Sequence, residues 1–258
     1  NNQRLFVARD ITQLHRTNRI RSDFVANVSH ELKTPITVLR SYLETMSGQQ
    51  ELCPPTWKNG LQQMLDHVKR MQNVVEDLLT LSKLEQSNHV EERKPVVVSA
   101  MITDIHRLAK NLEDHSEHIF VLEIDTNLEI LGSTNELFSC FSNLVFNAIH
   151  YTEARGVIEI NWYRDESGAH FSVTDNGQGI PAEKIPRLTE RFYRVDRART
   201  RALGGTGLGL AVVNHVLTRH DATLYIESEV GVGSTFRCDF PLESMSNNQP
   251  DSANDRTA

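Results

Sequence analysis

The chain has 258 residues, 39% of them hydrophobic and 24% charged, enough for one or two domains with apolar cores. A net charge of -7 argues against general nucleic-acid binding, which needs a basic surface. No run of about 18 apolar residues is present to cross a bilayer. The three cysteines, Cys53, Cys140 and Cys238, are scattered and form no CxxC pair, as expected of a reducing cytoplasm. The chain starts at Asn1 with no signal peptide and reads as a piece whose upstream part is missing.

The first element in chain order is a long helix over about Ile11 to Ser47, with helical apolar spacing and no glycine until Gly48. Pro35 should perturb it, because it lacks a backbone donor and clashes with the preceding turn. Gln49 to Pro55 (QQELCPP) reads as a turn. Thr56 to Glu85 reads as a second helix, with Leu61, Met64, Leu65, Val68, Met71, Val75, Leu78, Leu79 and Leu81 as its apolar stripe. A single helical hairpin buries little, so two hairpins are expected to pair as an antiparallel four-helix bundle, making a homodimer.

Ser87 to Lys94, followed by Pro95, reads as a linker. Beyond it, strands are expected at Ile119–Ile124, Val157–Tyr163, Ala169–Asp175, Thr223–Glu227 and Thr235–Phe240. Helices are expected at Ser99–Glu113, Asn135–Tyr151 and Leu208–Arg219. The second part is therefore an α+β domain. Residues after about Glu243 are polar and expected to be disordered.

On a helical wheel, Phe24, Val28, Leu32, Leu39, Leu43 and Met46 fall within roughly a 100° arc. His30 lies on the opposite side and is expected to face solvent. A solvated surface histidine is the plain reading. The setting favours chemistry: neutral imidazole is a good nucleophile near neutral pH. Glu31 beside it can hold the tautomer and take up a proton. Thr34, one turn on, brings a hydroxyl to nearly the same face and could orient water for the reverse, hydrolytic step.

In the helix ending at Tyr151, Leu137, Phe141, Leu144, Val145 and Ala148 form the face expected to be buried. Asn143 and Asn147 lie one turn apart on the other face. This is either a solvated stripe or a ligand site, and asparagine oxygens suit Mg2+. Asp175 continues the apolar face of Phe171 and Val173, where a buried acid needs a partner such as the amino group of a purine. Asn176 to Pro181 is a glycine-rich turn that lets backbone approach a flat ligand.

Six arginines (187, 191, 194, 197, 199 and 201) then crowd into one stretch of an otherwise acidic chain. They are either solvated charge or phosphate ligands. Gly204 to Leu210 (GGTGLGL) runs into a helix, the pattern of a phosphate site at a helix N-terminus. No GxxxxGK[ST] occurs, and no strand immediately precedes the glycines, so neither a P-loop nor a Rossmann site fits. The arginine stretch reads as a mobile lid over phosphates. His115 and His118 have metal-pair spacing without a third ligand, and read as a surface feature.

SHELKTP at 29–35 resembles the H box of HisKA-type sensor histidine kinases. NLVFNAIHYT at 143–152 resembles their N box, DNGQGI at 175–180 the G1 box, ERFYR at 190–194 the F box, and GGTGLGL at 204–210 the G2 box. The order and spacing fit that family over about residues 20–242. The resemblance implies a dimeric phosphotransfer bundle (20–90), a GHKL (Bergerat) α/β-sandwich ATP-binding domain (95–242) and a disordered tail (243–258). It implies ATP and Mg2+ as ligands, with His30 as phospho-acceptor, Glu31 as its base and Thr34 as the phosphatase-assisting hydroxyl. Asn143 and Asn147 would hold Mg2+. Asp175 would read adenine in a pocket shaped by Gly177, Gly179 and Ile180. His150, Tyr151, Arg191, Phe192 and Arg194 would join the nucleotide site, and Gly205, Thr206, Gly207, Leu208 and Gly209 would flank the triphosphate. Many family members carry Lys or Arg where this chain has His150, so a contact to phosphate is weaker here.

ARDIT at 8–12, IPRLTERFYRVDRAR at 185–199 and IESEVGVGSTF at 226–236 look like the phosphate-regulon branch of the family. That implies residues 1–19 as the end of a PAS domain entering a signalling helix. It also implies a response-regulator receiver domain of the phosphate regulon as partner, and a membrane anchor only through a missing N-terminal region. Of three other readings, a GHKL ATPase of the chaperone or mismatch-repair kind is opposed by SHELKTP, a dead-kinase scaffold is opposed by the presence of every residue given a chemical role, and a protein acting mainly as the phosphatase of its regulator stays open.

Overall fold

A computed structural model describes residues 32–33, 36–46, 55–86, 93–112, 117–195 and 206–245. The chain divides into two compact units, Asn1–Ser87 and Asn88–Ala258.

In the first unit, residues 36–46 form helix α1, with 32–33 also helical, and Pro55–Gln86 form α2. Ile36 of α1 and Val68, Val75 and Leu79 of α2 make a buried cluster, with Leu43 packed against it. Arg40 donates to the Gln72 side-chain oxygen at 3.0 Å beside this seam. The seam is narrower than the apolar pattern predicts. Leu32, Leu39 and Met46 of the expected stripe are 45–51% exposed, while Ile36, outside it, is buried. On α2, Met64 and Met71 are likewise exposed. A pair of helices touches along one line, so an apolar arc about 100° wide outruns what one neighbour can cover. Phe24, Val28 and Pro35 lie outside the described residues.

The second unit is a mixed sheet with helices on one face. Its strands are β2 (Ile119–Ile124), β4 (Val157–Arg164), β5 (Gly168–Asp175), β6 (Thr223–Glu229) and β7 (Gly233–Pro241), in the order β2-β4-β5-β7-β6. The β2–β4 pair is parallel and the others antiparallel. Helices α3 (Val98–Leu112), α4 (Thr134–Tyr151) and α5 (Gly209–Arg219) cover it, with α4 touching both neighbours.

Cross-strand register makes the core a stack of rows. One row is Ile124, Trp162, Phe171, Cys238 and Leu224, and the next is Leu122, Ile160, Val173, Phe236 and Ile226. Phe141 of α4 stacks on Phe171 at 4.0 Å and is flanked edge-on by Phe240, all fully or almost fully buried. The buried Trp162 indole donates to the Leu128 carbonyl at 3.2 Å, so its one polar atom is satisfied. Arg219 at the end of α5 makes a two-pronged pair with Glu136 at the start of α4, both contacts 3.0 Å. That pair joins the two helices that frame the functional site.

Two further strands were not expected. β1 (Lys94–Val97) pairs antiparallel with β3 (Glu129–Gly132), so the end of the expected linker is already strand. Both are four residues long, and Pro95 reads as a breaker in sequence, although proline is tolerated on an edge strand. At the other end, Leu242–Ser244 form a 3-10 turn, Ser244 is buried and Met245 bridges Ile130. Order thus continues past Glu243 because Met245 adds to the edge of β3. Among the described residues no helix is long and apolar enough to cross a membrane.

Candidate active site

The third row of the sheet differs from the two apolar ones. It reads Phe120, Ile158, Asp175, Ser234 and Ser228, so three polar side chains stand side by side on β5, β7 and β6. Alternation along each strand puts them on the helix-covered face. Asp175 and Ser234 are both buried. Burial pushes the Asp175 carboxyl above the ordinary carboxylate value, and backbone N–H groups of Gly177 and Ser234 pull it the other way. The Gly177 contact is 2.8 Å to Oδ1.

The loop after Asp175 is threaded tightly. A Cβ at Gly177 would stand 2.4 Å from the Tyr151 carbonyl oxygen, so the turn lies against the end of α4. Gly179 has φ +68 and a Cβ there would stand 1.9 Å from the Glu229 carbonyl, so only glycine fits. Gly231 N–H donates to the Gln178 carbonyl at 2.9 Å, and Ile180 N–H donates to Ser228 Oγ at 2.8 Å. The loop is therefore pinned between α4 and the β6–β7 hairpin.

The second half of the site lies between α4 and α5. Asn143 donates its Nδ2 to the Ser139 carbonyl at 2.8 Å, which leaves Oδ1 on the side of α5. That oxygen faces the start of α5, where a Cβ on Gly209 would come within 2.4 Å of it. Leu208, the residue before α5, donates its N–H to Thr206 Oγ1 at 3.1 Å. Its side chain is fully buried, and its carbonyl accepts the Val212 N–H at 2.9 Å, so Leu208 anchors the turn into α5. The N-cap residue Leu208 has no capping side chain, and the helix N-terminus at the end of the glycine stretch suits an anion. Asn147 is half-buried one turn beyond Asn143, with Tyr151 half-buried beyond it. His150 is exposed, yet the protein packed about its ring pushes its pKa below the ordinary histidine value, opposed by the Phe146 carbonyl.

The roots of the arginine-rich stretch are held together. Phe192 N–H donates to the Gly207 carbonyl at 2.8 Å. Phe192 itself has φ +61, rare for a residue with a side chain, and is 57% exposed. The Arg194 side chain runs beside Gly207. Arg191 adds to burial in lowering the pKa of His215 on α5, which places that guanidinium near the same helix.

The fold thus brings Gly177, bonded to Asp175, against Tyr151, holds Gly179 and Ile180 against the β6–β7 hairpin, and sets Asn143 against Gly209. It also joins Phe192 and Arg194 to Gly207. His30, Glu31, Thr34 and Gly205 lie outside the described residues. His118, read as surface, is buried, with Nε2 3.4 Å from the Thr152 carbonyl, because β2 begins there and draws it inward. The sequence reading did not single out Ser228 and Ser234. They lie over fifty residues beyond Asp175, and only strand register puts them beside it. A cavity of about 470 Å3 at this end of the sheet is lined by Glu159, Thr174, Glu227 and Thr235 and also by Asp175, Ser228 and Ser234.

Residues 20–87 match the His Kinase A (phospho-acceptor) domain family, and residues 132–244 match the histidine kinase-, DNA gyrase B- and HSP90-like ATPase family. The chain is 50% identical over 240 residues to the phosphate regulon sensor protein PhoR of Pseudomonas aeruginosa, covering 93% of this chain and 54% of that protein. It is 34% identical over 253 residues to the sensor histidine kinase WalK of Bacillus subtilis, covering 95% of this chain and 40% of that one. The chain spans about half the length of the curated relatives it matches. Among solved structures, full-length ShkA in complex with AMPPNP superposes with a TM-score of 0.69 at 20% identity, over 86% of this chain and 46% of that one. That likeness is one of fold. With a phospho-acceptor domain followed by a kinase-type ATPase domain, the chain belongs to the HisKA-type sensor histidine kinases, and resembles the phosphate-regulon sensors among them.

Proposed function

We propose that this chain binds ATP in the second unit, transfers the γ-phosphoryl group to His30, and passes it on to an aspartate of a PhoB-like response regulator. The observation that carries the nucleotide reading is the buried Asp175 carboxylate. It ends an apolar strand face and is flanked by a glycine loop that no side chain could occupy. Its free acceptor positions suit the exocyclic amino group of adenine. The Asn143 oxygen beside the start of α5, with Asn147, suits Mg2+, which would neutralise phosphate charge during transfer. The N-terminus of α5 and the lid arginines, Arg191 and Arg194, would supply donors to the phosphates.

On the acceptor side, the His30 imidazole attacks the γ-phosphorus in line and ADP leaves. Glu31 takes the ring proton as the N–P bond forms. Thr34, one turn along, would orient water against the regulator's phosphoaspartate, giving the same protein phosphatase activity. A homodimer follows from the apolar faces that each helix pair leaves exposed, Leu39, Met46 and Met64 among them. In this reading residues 1–19 end a PAS domain, 20–90 form the phosphotransfer domain, and the catalytic domain runs from β1 at Lys94 to Met245, with a tail beyond it. An upstream anchor would hold the protein to the cytoplasmic side of the inner membrane.

Incubation with γ-labelled ATP and Mg2+ tests the central claim. Acid-labile, alkali-stable label is expected in the parent and absent from His30→Gln, which should still bind ATP. Label that persists in His30→Gln would dismiss His30 as the acceptor.

A further inference from the structure

We infer that Ser228 is a positioning residue for nucleotide base recognition, acting through the loop that follows Asp175. The inference rests on the nucleotide reading above and names a residue which that reading does not use. Ser228 Oγ makes three contacts. It accepts the Ile180 N–H at 2.8 Å, donates to the Gly233 carbonyl at 2.9 Å, and lies 2.9 Å from Ser234 Oγ. A serine hydroxyl has one proton and two lone pairs, so all three contacts can be satisfied together if Ser234 donates.

Each contact reaches a different part of the base-reading arrangement. Ile180 closes the glycine loop that starts at Asp175. Gly233 packs on the Asp175 carbonyl, where a Cβ would stand 1.9 Å away. Ser234 is the cross-strand neighbour of Asp175 and supplies it with a backbone N–H. Ser228 is thus the junction through which β6, β7 and the loop agree on one geometry. The nearby Gly231-to-Gln178 bond holds the loop's middle, and Ser228 Oγ holds its end at the N–H of Ile180. Without the hydroxyl, the Ile180 N–H loses its acceptor and the loop relaxes away from β6. The carboxylate and the loop would then no longer hold the base in one plane. The phosphate end of the site, built on α4 and α5, would be untouched.

The test is a set of dissociation constants for ADP, GDP and inorganic triphosphate, measured by calorimetry on the parent chain and on Ser228→Ala, Ser228→Thr and Ser228→Val. Loss of one hydrogen bond predicts ADP binding weaker by about three- to tenfold in Ser228→Ala. GDP and triphosphate should change by less than about twofold, so discrimination between the bases shrinks. Ser228→Thr keeps the hydroxyl and should bind as the parent does. Ser228→Val has the same shape as threonine without the hydroxyl, and should behave as Ser228→Ala. The Thr and Val pair keeps the comparison valid if the alanine variant folds poorly. An equal loss for all three ligands, or unchanged ADP binding in both Ser228→Ala and Ser228→Val, would overturn the inference. A parent chain that binds no ADP would instead remove the nucleotide reading beneath it.

Discussion

The two units solve burial in opposite ways. The sheet unit closes its core within one chain: Trp162, Phe141, Phe171 and Phe240 are almost wholly out of contact with water, and the rows of β2, β4, β5, β7 and β6 continue across the sheet. The helical unit does not. Ile36, Val68, Val75 and Leu79 make one seam, while Leu39, Tyr42, Met46 and Met64 remain about half or more exposed. A sheet offers a whole face to the helices above it, whereas a helix pair offers a line. The difference teaches where each unit finds cover for its apolar surface: the ATPase unit within its own chain, and the phosphotransfer unit, in the dimer proposed above, on a second copy.

The comparison can be broken hardest at Phe141. Phe141→Ala removes the ring at the centre of the sheet unit's core and should cost about 3–5 kcal/mol. Urea unfolding should show the sheet signal lost at much lower denaturant, while the far-UV helical signal of α2 persists. Simultaneous loss of both would mean the two units do not unfold separately.

A medium effect is expected on the other side. Leu39→Glu places a charge on the exposed apolar face of α1 and should raise the dimer dissociation constant about a hundredfold. Sedimentation across a concentration series would read this, and nucleotide binding by the sheet unit should stay as in the parent. A dimer that survives would move the interface elsewhere.

The smallest effect sharpens the sheet unit alone. His170, buried on the face away from the helices, contacts Asp239 at 2.7 Å and Asp165 at 2.9 Å. Burial would lower its pKa, but the two carboxylates outweigh it and the net direction is upward. A raised folded value means the imidazolium stabilises the fold fully below its unfolded value of about 6.5, and that contribution is lost as pH rises through the folded value. Melting of the parent should therefore fall as pH is raised above about 6.5, by roughly 1 kcal/mol, and His170→Asn should flatten the trend. A parent curve that is flat across that window would mean the carboxylates do not hold the proton.

Where periodicity is strong, sequence and structure agree closely. α4 and β5 carry regular apolar repeats over many residues, and their expected bounds differ from the observed ones by a residue or so. β1 and β3 were hidden because four residues give no usable period, and because Pro95 signals a break that an edge position tolerates. The exposure of Leu32, Leu39 and Met46 was hidden for another reason. An apolar stripe records that a face will be covered, and does not record whether the cover comes from the same chain.

The order of motifs along the chain, the helical period of the first unit, and the chemistry of Asp175, Asn143 and the glycine loops are local properties. Sequence alone determined them, since they depend on residue type and on neighbours a few positions away. The row that joins Asp175 to Ser234 and Ser228, the approach of Gly209 to Asn143, and the tie between Phe192 and Gly207 were decided only by tertiary structure. Each joins residues from fifteen to more than sixty positions apart, and strand register and helix packing, which no local pattern records, set which atoms meet.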